Sequence, residues 1–217
     1  MAILTNGPNG GFSGKVGSVV GYKWKNKDVI RGLPRKSHKP RSEARLANEQ
    51  AMKLIMKSLK PLKIIVRRTF RQAAESLNMS AFNLALSINK KLAIVGEYPE
   101  LTIDWSQFTI SKGPLPGLTQ VTTAWVGDGL KVTWNDNSSE PDAGRDDQVT
   151  FTLYSYKFDH WFFFPNEATR STTQCTLSVE DDWVGTEVEL FGFFMTFGGE
   201  TVSDSHHCHV TALVNEL

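Results

Sequence analysis

The stretch from residue 113 to residue 214 decides the fold. GPLPG (113–117) is a turn-rich boundary, and after it come TQVTTAWV (119–126), LKVTW (130–134), QVTFTLYSY (148–156), HWFFF (160–164), TQCTLSV (173–179), TEVELFGFFMTF (186–197) and SHHCHVTALV (205–214). These are seven short β-rich runs separated by turn residues, the strand count of an immunoglobulin-like or fibronectin type III-like β-sandwich. The spacing predicts a separable sandwich over 115–217 with Trp125, Trp134, Trp183, Val132 and Leu177 in its core. Two of the runs carry aromatics at consecutive positions. Because alternate side chains of a strand face opposite ways, some of Phe162, Phe163, Phe164, Phe191, Phe193 and Phe194 must point away from a two-sheet core. Outward phenylalanines call for a further layer, supplied by helices or by another subunit.

Upstream, Leu101, Ile103 and Trp105 alternate and Phe108 and Ile110 continue out of phase, which predicts a strand with a bulge at Ser106–Gln107. Residues 41–91 read as helical. Ser42 is a candidate N-cap for a first helix burying Ala47, Ala51, Leu54 and Ile55. Pro61 suits the first turn of a second, with Leu62, Ile65, Val66, Phe70 and Ala73 as its stripe, and a third begins near Ser80 with Phe82, Ala85 and Leu86. The first 40 residues read as a glycine-rich arm (6–14), a β-hairpin formed by KVGSVVGYKW and VIRG around an NKD turn, and the basic connector LPRKSHKPR. Gly17 and Gly21 within the first strand suit close approach by another backbone. The expectation is therefore an α+β chain: arm, hairpin and connector over 1–40, a basic helical module over 41–95, and strands and sandwich over 96–217.

Charge is divided along this order. Residues 1–71 hold 17 of the 24 Lys and Arg against Asp28, Glu43 and Glu49, a net +14, while the rest hold 7 basic and 20 acidic residues, a net −13. Such a dipolar chain points to contacts with nucleic acid, an anionic surface or itself. With 40% hydrophobic and 22% charged residues, the composition excludes disordered, collagen-like and coiled-coil classes. No apolar stretch is long enough to span a bilayer, and MAILTNGPNGGFSGK lacks the core of a cleaved signal. Two cysteines exclude a disulfide scaffold and fit a reducing compartment, so the expected location is the cytoplasm or an assembled particle.

The segments GGFSGKVGSVVGYKWKNKDVIRGLPRK (10–36), LKPLK (59–63), IVGEYPELTIDWSQFTISKGPLPG (94–117) and DDWVGTEVELFGFFMTFGGETVSDSHHCHV (181–210) resemble an uncharacterised bacterial domain-of-unknown-function family. The most specific part is G-x-V-G-x-V-V-G-x-x-W, from Gly14 to Trp24, with Arg31 after it. The resemblance implies a glycine-rich hairpin and helices ahead of a sandwich-like region, and no activity or cofactor. The Trp, Arg and Pro pattern followed by a basic helix more loosely resembles small phage structural proteins.

Motifs for chemistry are scarce. A phosphate-binding loop ending at Gly14-Lys15 fails at Asn9 and Val16, and no G-x-G-x-x-G occurs. His206 and Cys208 would share one face of a strand and His207 and His209 the other, so at most two adjacent ligands meet where a structural zinc needs four; Cys175 or His160 could complete a site from a neighbouring strand, but nothing in the spacing demands it. The acidic loop EPDAGRDD (140–147) lacks the order of a calcium hand. The histidines, including His38, are framed by no nucleophile motif, so the expected reading is a non-enzyme without cofactor or metal. The leading expectation is a structural or assembly protein forming a homo-oligomer or higher assembly, with Gly14, Gly17, Gly21, Trp24, Arg31, Phe191, Phe193 and Phe194 at the contact. A second is non-specific nucleic-acid binding along Lys53, Lys57, Lys60, Lys63, Arg67, Arg68 and Arg71, with Arg35, Lys36, Lys39 and Arg41 beside them. A third is a glycan-binding module using the aromatic runs.

Overall fold

The structure, a computed structural model, describes residues 2–4 (backbone only), 12–24, 27–34 and 40–211. The chain divides into two compact units, Met1–Arg41 and Ser42–Leu217. The helices and the β-region beyond them lie in the second unit and share a hydrophobic core.

The first unit is an antiparallel sheet of four strands, β1 (Ala2–Leu4), β2 (Gly14–Val16), β3 (Val19–Trp24) and β4 (Lys27–Gly32), in the order β1-β4-β3-β2. The hairpin expected from the sequence is β3 on β4, with Gly21 opposite Ile30 and Trp24 opposite Lys27. What reads as one strand from Lys15 to Trp24 is split at Gly17-Ser18, where Gly17 takes a φ of +56°. That left-handed turn folds β2 back on β3, which only glycine does without a Cβ penalty. Gly7, Gly10 and Gly11 of the arm, most of the connector and the tip of the hairpin lie outside the described residues.

The second unit opens with α1 (Glu43–Leu59), whose residues at four-residue spacing, Ala51, Ile55 and Leu59, are buried. Ser42 stands at its N-cap position without a side-chain bond to the helix. The second expected helix is two, α2 (Lys63–Thr69) and α3 (Arg71–Ser76), broken at buried Phe70. Thr69 explains the break: its Oγ1 donates to the Ile110 carbonyl at 2.6 Å and its own carbonyl accepts from Lys112 N–H, so it serves the neighbouring segment. α4 (Ala81–Leu92) is capped by Ser80, whose Oγ accepts from Asn83 N–H at 3.3 Å.

Between helices and sheets, only β5 (Ile94–Val95) and β6 (Thr102–Ile103) pair. The long strand expected over 101–110 is absent, and the slip in its period is a 3₁₀ turn at Trp105–Gln107 that Asp104 caps by accepting from Ser106 N–H at 3.0 Å. Side chains rather than a neighbouring strand satisfy the extended residues after it. Asn89, fully buried on α4, accepts from Thr109 N–H at 2.7 Å and donates to Thr109 O at 2.8 Å, while Ser205 Oγ accepts from Ile110 N–H.

The seven runs form seven strands: β7 (Thr122–Val126), β8 (Gly129–Thr133), β9 (Gln148–Ser155), β10 (His160–Thr169), β11 (Gln174–Ser178), β12 (Val188–Met195) and β13 (His206–Val210). They make two antiparallel sheets, β11-β8-β7 and β10-β9-β12-β13. One hydrophobic core joins the two, with Leu130, Val132 and Leu177 from the smaller and Phe151, Leu153, Leu190 and Phe194 from the larger. Trp134, Trp183, Val132 and Leu177 are buried as expected, and Trp125 is half-buried. The other face of the larger sheet packs on the helices through Trp161, Phe191 and Phe193 against Ile55, Leu59, Val66 and Phe70. Every residue of β12 is buried, so this strand runs through the middle of three layers.

Candidate functional site

The residues expected at an assembly contact fall in two different places. Phe191, Phe193 and Phe194 are corrected first: all three are at most 2% exposed and offer no surface. Helices, not a second subunit, supply the extra layer. Phe191 and Phe193 lie under them beside Trp105, Phe108 and Trp161, while Phe194 points into the core between the sheets, 6.4 Å from Trp134. The aromatic runs proposed as a glycan platform are mostly consumed in the same way, with Phe163 left outward at 41% exposure.

Gly14, Gly17, Gly21, Trp24 and Arg31 all lie in the N-terminal sheet. Gly21 does permit close approach of a backbone, and that backbone is the sheet's own segment: a Cβ there would overlap the carbonyl oxygen of Phe12. Gly14 opens β2. Arg31 extends over the Tyr22 ring at 5.6 Å. Val29 is the one buried hydrophobic side chain among the unit's described residues, while Val16 is 61% exposed and Trp24 54%. The described residues of this small sheet thus bury little apolar surface.

The basic residues do not form one continuous track. Lys57 is ion-paired with Asp159, which also accepts from Tyr154 Oη at 2.8 Å, and Arg71 faces Glu75 at 3.8 Å. Lys57 and Tyr154 hold the Asp159 carboxyl below the usual carboxylate range. Burial, then Asp159, raises the Tyr154 phenol well above its ordinary value, so it acts as a donor rather than a base. Together with Trp105, Ser58 and Thr102 these groups line a cleft of about 310 Å³. Arg68 turns to a second cleft of about 210 Å³, beside Phe163, Phe193 and Met195. Lys60, Lys63 and Arg67 converge on a third, of about 360 Å³, facing Ser80, Phe82 and Asn83. Lys53 is exposed on α1; Arg35, Lys36 and Lys39 lie outside the described residues, and Arg41 is exposed at the end of the first unit.

Sequence reading missed two buried charged groups. Glu189, 3% exposed, faces the helix side of the larger sheet and accepts from Tyr156 Oη, while His207 Nε2 lies 2.6 Å and His209 Nδ1 3.0 Å from its carboxylate oxygens. Burial pushes its carboxyl up, but the bonds from His207, Tyr156 and His209 outweigh this and hold it below the usual value. Both histidines are thereby engaged by one carboxylate, and among the described residues no group of three His, Cys, Asp or Glu is disposed to hold a metal ion. Burial alone pushes Cys208 up, and burial, then Glu167, pushes Cys175 up to about 12. Neither is a poised nucleophile. Arg170, fully buried, sits with Asp147 at the end of the sandwich. Alternation of charge and apolarity could have flagged Glu189, which sits between Val188 and Leu190 in an otherwise apolar strand.

No helix among the described residues is long and apolar enough to cross a membrane. A family model described as a family of unknown function, DUF6266, matches residues 11–208, and the chain belongs to that family. No curated protein and no solved structure matches the chain.

Proposed function

We propose that this member of the DUF6266 family is a structural or assembly subunit without catalytic activity, in which the N-terminal sheet of one copy docks on the second unit of another. The observation that carries the reading is how little apolar side chain the described residues of that sheet bury, Val29 alone, while Val16 and Trp24 stand exposed. A small sheet with so little burial among its described residues is stabilised by a surface supplied from elsewhere. Charge supports the direction of docking. Residues 1–41 contain nine Lys and Arg against Asp28 alone, and residues 42–217 contain 15 basic and 22 acidic residues, so unlike surfaces on different copies attract. Contact between unlike surfaces is heterologous and gives rings or open filaments.

For the second unit we infer a fibronectin type III-like sandwich. Its support is the distribution of strands: the first two and the fifth of the seven make the smaller sheet, and the third, fourth, sixth and seventh the larger. In this reading the sandwich is the scaffold that presents the docking surface, and the helices are a permanent cover on its other face.

Light scattering of the full chain at two protein concentrations and two salt concentrations tests the proposal. Mass should rise with concentration, and salt should slow the approach to the final mass more than it lowers that mass, because screening over about 10 Å at 0.1 M acts on encounter rather than on packed contacts. A chain that stays strictly monomeric at high concentration and low salt refutes it.

A further inference from the structure

We propose that the groove between the α1–α2 corner and the first turn of α4 binds the sugar–phosphate backbone of single-stranded nucleic acid. Its cationic wall is Lys60, Lys63 and Arg67, at successive spacings of three and four residues, all exposed and all directed to one concavity of about 360 Å³. These three are also unspent, as are Lys53 on α1 and Arg68 in the second cleft, but only these three share one concavity. Arg45 is paired with Glu49, Lys57 with Asp159 and Arg71 with Glu75, whereas Lys60, Lys63 and Arg67 have no ion-pair partner among the described residues. No carboxylate lines the groove. Like charges held along a concave, low-dielectric wall repel one another and focus a positive potential, which a chain of phosphates relieves.

The opposite wall favours a nucleic acid strand over an isolated phosphate. Phe82 lies half-buried there, its ring fixed against the helical core, and Asn83 offers an amide beside it. A fixed ring facing a row of cations is the pairing that single strands use, with phosphates on the basic side and a base stacked on the aromatic side. The cations also spread along the chain from the turn after α1 into α2, farther apart than the oxygens of one phosphate. A concave groove admits a strand, whereas a bilayer surface meets convex faces.

Fluorescence anisotropy with a labelled oligothymidylate of about 15 nucleotides tests the site on the full chain, at salt from about 50 to 200 mM. The groove variant is Lys60→Gln/Lys63→Gln/Arg67→Gln, and its charge-matched control is Lys91→Gln/Arg145→Gln/Lys157→Gln, outside both the groove and the N-terminal sheet; all six positions are exposed, and circular dichroism melting checks that both variants stay folded. The wild type should bind, and the groove variant should lose roughly two from the slope of log affinity against log salt, since each single-strand phosphate contact contributes about 0.7. The control should keep a steeper slope than the groove variant. Equal losses in both variants, or no binding by the wild type at the lowest salt, overturn the assignment. Loss of binding to phosphatidylserine vesicles in the groove variant with oligonucleotide binding unchanged also overturns it, by giving the groove to a membrane surface.

Discussion

Replacing Arg170 with Met should destabilise the second unit by about 4 kcal/mol, the middle of the range for orphaning one member of a buried ion pair. The guanidinium is fully buried and makes four bonds: Nε and Nη2 donate to Asp147 Oδ2 at 3.2 and 3.0 Å, Nη1 to Asn137 Oδ1 at 2.5 Å, and Nη2 to the Pro116 carbonyl at 3.0 Å. It also lies 3.9 Å from the centre of the Phe194 ring, while its backbone carbonyl accepts from Trp134 Nε1 at 2.9 Å. Arg170 thus links the boundary segment, the acidic loop and both sheets. In the variant, Asp147 keeps a bond from Gly144 N–H at 2.8 Å but stays buried as an uncompensated carboxylate. For a unit of this size about 4 kcal/mol corresponds to a fall of roughly 8–16 °C in Tm. Urea unfolding followed by the fluorescence of buried Trp134 and Trp183 reads it directly. The double variant Arg170→Met/Asp147→Leu should cost less than Arg170→Met alone, because the orphaned charge is gone. A single variant costing under about 1 kcal/mol, or a double variant costing the sum of its parts, refutes this reasoning.

Three further outcomes follow from titrating groups that are buried or half-buried. Glu189 has a carboxyl held lower in the folded chain than in the unfolded one, so the stability it contributes is present above about pH 4.5 and is lost as pH falls through its folded value. Urea midpoints measured against pH should show that loss, and Glu189→Gln should shrink it; a wild-type midpoint that stays constant below pH 4.5 contradicts the burial and bonding described. His206 is depressed by burial and then by His207, so its share is present above about pH 6.5 and declines below it, a shoulder that His206→Gln should remove. Cys175, with a thiol raised to about 12, should be alkylated by iodoacetamide at pH 8 far more slowly in the folded chain than in urea, with equal rates counting against its burial.

The strands of the second unit were legible because half-buried runs separated by turn residues leave a period and a punctuation in the sequence. β12 was legible as a strand with two apolar faces, and the need for a third layer followed from Phe191, Phe193 and Phe194 alone. Which layer covers them was not, since apolar helices and a second subunit satisfy the same side chains. The break at Phe70 and the unpaired extended run after Trp105–Gln107 escaped because both depend on bonds to distant residues, Thr69 to Ile110 and Asn89 to Thr109. Charged residues misled in the same way. Lys57 reads as part of a basic face until Asp159, 102 positions away, pairs with it, and nothing local in the sequence marks Arg170 as the buried partner of Asp147 in the acidic loop. Lys60, in the turn after α1, and Lys63 and Arg67, one helical turn apart on α2, still converge, and the groove they line is the surviving part of the expected track.

The most direct test of assembly by the N-terminal sheet is sedimentation velocity on the full chain, on a chain lacking residues 1–41, and on mixtures of the two at low salt. The full chain should form concentration-dependent large species, and the shortened chain, which retains both hydrophobic cores of the second unit, should sediment as a monomer. In mixtures the shortened chain should cap growing ends and lower the mean mass in proportion to its share, as heterologous contacts require. Large species that persist without residues 1–41, or a full chain that remains a monomer throughout, would contradict the assignment of the docking element to the N-terminal sheet.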